Sequence, residues 1–221
     1  MEEFDSAIVS KICRQLKHND RELTRKNKTI MIAFYQNQRL KQRLTMPTYF
    51  ISDLHLDESA PEIAKQFFNF LKTTAKKADA LYILGDFFEI WIGDDDLTPF
   101  NLTVIKALKD YTDSGIPTYI MHGNRDFLIG RRFLKATGCQ LLKDPSLIKL
   151  YDIPVLLMHG DLLCTQDTEY LNVRKKLRNP ARHALFFLFK SLKQRKEYAT
   201  KLRLKSKERY KTIDKTITDA N

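Results

Sequence analysis

Four short polar motifs stand in fixed order along this chain: Asp53-Leu54-His55, Gly85-Asp86, Gly123-Asn124-Arg125-Asp126 and His159-Gly160-Asp161. Each follows an apolar run of strand length, respectively Thr48 to Ser52, Ala80 to Leu84, Thr118 to Met121 and Val155 to Met158. Carboxylate, imidazole and amide oxygen delivered from successive strand ends suit a site for two divalent metals. Residues i and i+2 of an extended strand point the same way, so Asp53 and His55 are expected to reach one metal together. Asp86 follows a glycine that lets the backbone turn sharply, and its two oxygens can bridge two metals. Asn124 offers a neutral amide oxygen and His159 an imidazole nitrogen. Mixed nitrogen and oxygen donors favour Mn²⁺, Fe²⁺ or Zn²⁺ over Ca²⁺. Two such metals about 3.5–4 Å apart can hold a hydroxide between them and clamp phosphoryl oxygens during in-line displacement. Taken singly, each motif has an ordinary explanation as a strand end or a tight turn; the ordered set points to chemistry.

The elements that must position these residues are readable between them. Ile63, Ala64, Phe67, Phe68 and Leu71 fall on one face of a helix, and Pro61 suits its first turn. Leu102, Ile105 and Leu108 repeat the pattern before a turn at Asp113-Ser114-Gly115. Strands alternating with helices imply an α/β core. After Tyr170 the chain is expected to form long helices rich in Lys and Arg, broken at Asn179-Pro180.

The order of the motifs resembles the calcineurin-like metallophosphoesterase superfamily, with Arg125 where its third motif usually carries histidine. Three longer runs narrow the resemblance: Tyr82 to Asp96, His122 to Leu128 and His159 to Thr165. They look like the branch that hydrolyses UDP-2,3-diacylglucosamine in lipid A biosynthesis, over Met46 to about Asp219 and more weakly after Asn179. The resemblance implies an αββα sandwich with a helical lid insertion, and two metals, Mn²⁺ by family habit. It implies that Asp53 and His55 bind the first metal, that Asp86 bridges, and that Asn124 and His159 bind the second. Asn124 and Arg125 would contact the substrate diphosphate, with Asp86, Asn124 and Arg125 as the catalytic set. Asp167, Tyr170 and Ser206 match positions that touch substrate. The implied reaction yields 2,3-diacylglucosamine 1-phosphate and UMP.

Family sites also use a later His-x-His pair, and the 221 residues contain none. By resemblance five of seven protein ligands are present, so the core is expected to be incomplete at its C-terminal side, and this form poorly soluble and much less active. Two other readings follow: a different phosphoesterase, such as a nucleotide phosphatase, or an inactive remnant.

Charge divides the chain. The net charge is +11. Residues 46–170 are acidic, whereas residues 171–211 carry a balance of +13. Three expected units follow: an extension of unknown role at 1–45, a metallophosphoesterase core at 46–170 and a basic helical lid at 171–221. The apolar stretch Ala184 to Phe189 could pack on the core, or it could shelter acyl chains beside an anionic membrane surface. Polybasic segments gain about 1 kcal/mol per Lys or Arg near such a surface. The basic block lacks aromatics at stacking spacing, so no nucleic acid is expected as a partner. Cys13, Cys139 and Cys164 are too few for a disulfide framework. With no spanning run and no leader-like start, the expected location is cytoplasmic, peripheral on a bacterial inner membrane.

Overall fold

The computed structural model of the chain describes residues 46–212, so the expected N-terminal extension at 1–45 and the residues from 213 onward lie outside the described part. Strands β1 (Thr48–Ile51), β2 (Ala80–Ile83), β3 (Thr118–Met121) and β4 (Gln140–Leu142) pair in that order as one parallel sheet. Helices α1 (Pro61–Lys72), α2 (Pro99–Asp113) and α3 (Arg131–Thr137) make the crossovers. Strands β5 (Ser146–Leu150) and β6 (Ile153–Leu157) form an antiparallel hairpin. Its turn residues Tyr151 and Asp152 both have positive φ, 49° and 69°, as a two-residue turn matched to strand twist requires.

The strands sort their side chains by the period of two. Leu81, Ile83 and Ile120 face the helices, where they join Ala64, Phe67 and Leu71 of α1 and Val104 and Leu108 of α2. Tyr82, Leu84 and Met121 face the other way, toward Ile148, Val155 and Leu157 of the hairpin. On that face Phe50, Tyr82 and Tyr119 stack across β1, β2 and β3, with ring centroids 5.0 and 4.7 Å apart. Such cross-strand aromatic pairs also fix the register. The described residues thus supply one helical layer, the parallel sheet and the hairpin, in keeping with an α/β metallophosphoesterase sandwich.

α1 has Pro61 in its first turn and buries Ala64, Phe67 and Leu71 of its expected face, with Phe68 packed against the core and Ile63 left exposed. In α2 Leu108 is buried and Ile105 packs against the core as expected, but Leu102 is 47% exposed, and the helix buries Asn101, Val104 and Tyr111 beside Leu108. The cause is local. Asn101 turns inward to donate to the Asp96 carbonyl at 2.7 Å, and Thr98 caps the helix by accepting from the Asn101 N–H. That anchoring rotates Leu102 to solvent.

Beyond the hairpin lie α4 (Thr168–Leu177), α5 (Pro180–Phe189) and α6 (Leu192–Thr212). Asn179 separates α4 from α5, and it also caps α5, accepting from the N–H groups of Ala181 and Arg182. A fully buried account of Ala184 to Phe189 does not hold: Leu188 is 75% and Phe189 73% exposed. Phe186 packs against the rings of Phe187 and Tyr198, and Phe187 lies under the Arg195 guanidinium. Among the described residues no helix is long and apolar enough to cross a membrane.

Candidate metal centre

The polar motifs lie just past the carboxyl ends of the parallel strands, in loops that hydrogen-bond to one another. The Asp53 N–H donates to the Gly85 carbonyl at 3.1 Å, His55 to Asp86 at 3.0 Å and Leu56 to Phe87 at 2.9 Å. The reason for the Asp-x-His spacing differs from the expected one. β1 ends at Ile51, and Asp53 and His55 are not extended; their φ values are 52° and 49°. Asp86 has φ 49° as well. Side chains with a Cβ rarely adopt this left-handed backbone, and clusters of such residues mark functional sites.

Close approach of the β2 and β3 loops depends on glycine. A Cβ on Gly123 would lie 2.1 Å from both the N and the Oδ1 of Asp86, so only glycine fits there. The same loop is tied down by Asp126. Its Oδ1 accepts from Gly123 N at 2.8 Å and its Oδ2 from Phe87 N at 2.7 Å. Burial, then the nearby Asp86 charge, pushes the Asp126 carboxyl up to about 6.

Asp86 is the geometric centre. Its Oδ2 lies 3.8 Å from His55 Nε2, and its Oδ1 lies 3.7 Å from His159 Nε2. Both distances are too long for hydrogen bonds, and both leave room for a cation between donors. Asp53, His55 and Asp86 can each present one ligand atom within 4.8 Å of the others. The imidazoles are aimed by their other nitrogens. His159 Nδ1 lies 2.9 Å from the Leu84 carbonyl, which assigns the proton to Nδ1 and leaves the Nε2 lone pair facing Asp86. His55 Nδ1 lies 2.8 Å from Glu89 Oε2, at an angle too bent for a well-formed hydrogen bond.

Burial raises the Asp86 pKa, and the charges of His159 and His55 only partly offset it. Burial pulls His159 down, but the Asp86 charge and the Leu84 carbonyl outweigh it, and the net shift is upward. A divalent cation reverses both, because metal ligands bind deprotonated. Donor types, tautomers and spacing all fit such an ion.

The remaining expected residues divide. Asn124 and Arg125 lie on the loop after β3. Asn124 is exposed. Arg125 donates its N–H to Asp86 Oδ1 at 2.9 Å, and its Nη1 lies 3.9 Å from Glu89 Oε1. Asp167 caps α4 and pairs through both oxygens with Arg209, at 2.7 and 3.0 Å. The Tyr170 hydroxyl donates to Asp161 Oδ2 at 2.7 Å, and burial beside that carboxylate raises its pKa well above the ordinary phenol value. Ser206 is exposed on α6, one turn beyond Arg203.

Several participants carried no role in the motif reading. Asp144 and Asp161 share Arg174, with Oδ2 contacts of 2.5 and 2.7 Å. Arg178 donates to the carbonyls of His122 and Gly123 at 3.2 and 3.0 Å. α4 is thereby fastened to the loops after β3 and β6. Three arginines of α6 also reach polar partners. Arg195, only 4% exposed, donates to the Ile92 carbonyl at 2.8 Å, pairs with Asp95 and lies over the Phe187 ring at 4.8 Å. Arg203 pairs with Glu89, and Arg209 with Asp167 and Glu169. Sequence gave one usable hint: the acidic run Asp94-Asp95-Asp96. Asp94 accepts from the N–H groups of Gly130, Arg132 and Phe133 at 2.9–3.0 Å, which seats it at the start of α3.

The family model for calcineurin-like phosphoesterases matches residues 46–207. A UDP-2,3-diacylglucosamine hydrolase of Pseudomonas fluorescens strain SBW25 is 52% identical over 162 residues, covering 73% of this chain and 64% of that protein. The protein of the same name in strain Pf0-1 is 50% identical over 170 residues, 76% of this chain and 68% of its own length. That of Azotobacter vinelandii is 56% identical over 135 residues, 61% and 56% respectively. The chain thus spans about two thirds or less of the length of these curated relatives.

Proposed function

Because the chain belongs to the calcineurin-like phosphoesterase family, we propose that it hydrolyses the pyrophosphate bond of UDP-2,3-diacylglucosamine, releasing 2,3-diacylglucosamine 1-phosphate and UMP. The observation that carries this reading is the Asp86 carboxylate, with an imidazole Nε2 facing each of its oxygens at 3.8 and 3.7 Å. The names of the relatives supply the substrate. Asp53, His55, Asp86, Asn124 and His159 would hold two divalent ions, Mn²⁺ in this reading. Such ions, when bound, lower the pKa of water and neutralise charge on phosphoryl oxygens.

The chain's own residues do the positioning. Arg125 has its backbone fixed by Asp86 and presents a planar fork suited to diphosphate oxygens. Asn124 adds an amide beside it. Asp126 clamps the β2 and β3 loops together, so that Asp86 and Arg125 keep their separation. The α4–α6 segment forms the lid. Its exposed Leu185, Leu188 and Phe189, next to Lys190 and Lys193, give acyl chains an apolar resting place and an anionic membrane a cationic one. On this reading the protein works at the inner face of a bacterial inner membrane.

The test is a release assay with Mn²⁺ in saturating amount. UMP formed from UDP-2,3-diacylglucosamine, and no phosphate formed from UMP itself, is the expected result. Phosphate release from simple nucleotides would favour a nucleotide phosphatase. Mn²⁺ binding without turnover of either substrate would favour the non-catalytic reading.

A further inference from the structure

Glu89 occupies a position that the proposed reaction does not use. Its side chain is 12% exposed, and its two oxygens face different partners. Oε2 lies 2.8 Å from Nδ1 of His55, on the side of the ring away from Asp86. Oε1 meets two guanidinium groups, Arg203 of α6 in direct ion pairing and Arg125 of the β3 loop at 3.9 Å. The Glu89 backbone is fixed as well, its N–H donating to the Leu56 carbonyl at 3.1 Å. The carboxylate therefore cannot drift with its loop; its orientation depends on the cations that flank it.

We propose that Glu89 is a positioning residue that links the seat of helix α6 to metal affinity at His55. The proposal rests on the metal reading above. A ligating histidine needs a partner at its second nitrogen to fix ring orientation and tautomer, and loss of such a partner typically weakens metal binding about ten- to hundredfold. His159 has the Leu84 carbonyl for this purpose. For His55 the neighbour in that place is Glu89, a side chain on rotatable bonds rather than a rigid carbonyl and not aligned here for a hydrogen bond, so a second group must aim it. Arg203 is that group. It reaches Glu89 from the helix that Arg195 and Arg209 pin at either end, through Asp95 and Asp167. Lifting α6 withdraws Arg203, leaves Glu89 with Arg125 alone, and loosens the ring of His55. The site then binds its ions best when the lid is seated.

Mn²⁺ titrations of the metal-free 221-residue chain test this without any assay of turnover. Glu89→Gln keeps shape and removes charge; it should weaken Mn²⁺ binding about ten- to hundredfold. Arg203→Ala should weaken it in the same direction by a smaller factor, with Arg203→Lys recovering part of the loss. In the Glu89→Gln background Arg203→Ala should add nothing, because its effect runs through Glu89. Circular dichroism and thermal melting of each variant separate loss of fold from loss of affinity; a merely structural Glu89 would lower the melting midpoint and leave the affinity of the folded fraction unchanged. Unaltered affinity in Glu89→Gln, or additive losses in the double variant, would overturn the proposal. A wild-type chain that binds no Mn²⁺ would sink the metal reading itself and this one with it.

Discussion

Asp86 combines three duties in one side chain: it faces His55 with one oxygen, faces His159 with the other, and accepts the Arg125 N–H. Each imidazole thus faces its own oxygen of one carboxylate. Asp86→Ala is therefore expected to lose more bound Mn²⁺ than Ala variants of Asp53, His55, Asn124 or His159; two metals retained per chain in Asp86→Ala would refute the bridge. The sequence made the donors legible because ligand chemistry restricts residue types. It did not make the geometry legible. The spacing of Asp53 and His55 suggested strand alternation, whereas the two residues converge through left-handed backbone, a property that no spacing rule encodes. Glu89 and Asp126 stayed silent for another reason. Their roles exist only once loops from different strands meet, as when Asp126 accepts from Phe87, which lies 39 positions earlier.

Among the elements, α6 departs furthest from what its composition suggests. A helix rich in Lys and Arg reads as a solvated charged face, yet Arg195 is buried and held by Asp95 and the Ile92 carbonyl. Periodicity cannot separate an arginine that pairs inward from a lysine that faces water, since both are cations at helical spacing. α1, by contrast, was readable because buried apolar side chains follow the helical period directly. The hydrogen bond from Arg195 holds the Asp95 carboxyl below its ordinary pKa despite partial burial. A depressed folded-state value means that the pair stabilises above the unfolded carboxylate pKa, about 3.9, and that this contribution is lost as pH falls through the folded value. Asp95→Asn should thus melt earlier than wild type at pH 7, with the gap narrowing below about pH 4. A gap that stays constant down to pH 2.5 would show that Asp95 acts by packing and not by charge.

At the scale of the molecule, charge and apolar exposure coincide on the α4–α6 segment. The core sequence, residues 46–170, is acidic, as a cation site requires, and the excess positive charge lies in 171–211 beside Leu188 and Phe189. Binding to anionic vesicles should fall steeply with salt, because exposed charges are screened over about 8 Å at physiological ionic strength. Leu188→Ser with Phe189→Ser should reduce that binding further at fixed salt. Equal binding of wild type to neutral and anionic vesicles at low salt would count against a membrane role.

The left-handed backbone at Asp53, His55 and Asp86 also has a meaning for how such a chain can change over generations. An L-residue in that conformation costs roughly 1–2 kcal/mol that glycine does not incur. Glycine ordinarily weakens a fold relative to alanine by roughly 0.5–1 kcal/mol in regular elements, but at these positions the order should invert. His55→Gly, melted without metal, should be more stable than His55→Ala. If so, random drift at these sites runs downhill toward glycine, and a lineage that no longer needs the ions gains stability by losing its ligands. The three side chains would then persist only under continued selection for what they bind, which makes their presence in a sequence a record of use. A His55→Gly variant less stable than His55→Ala would remove that inference.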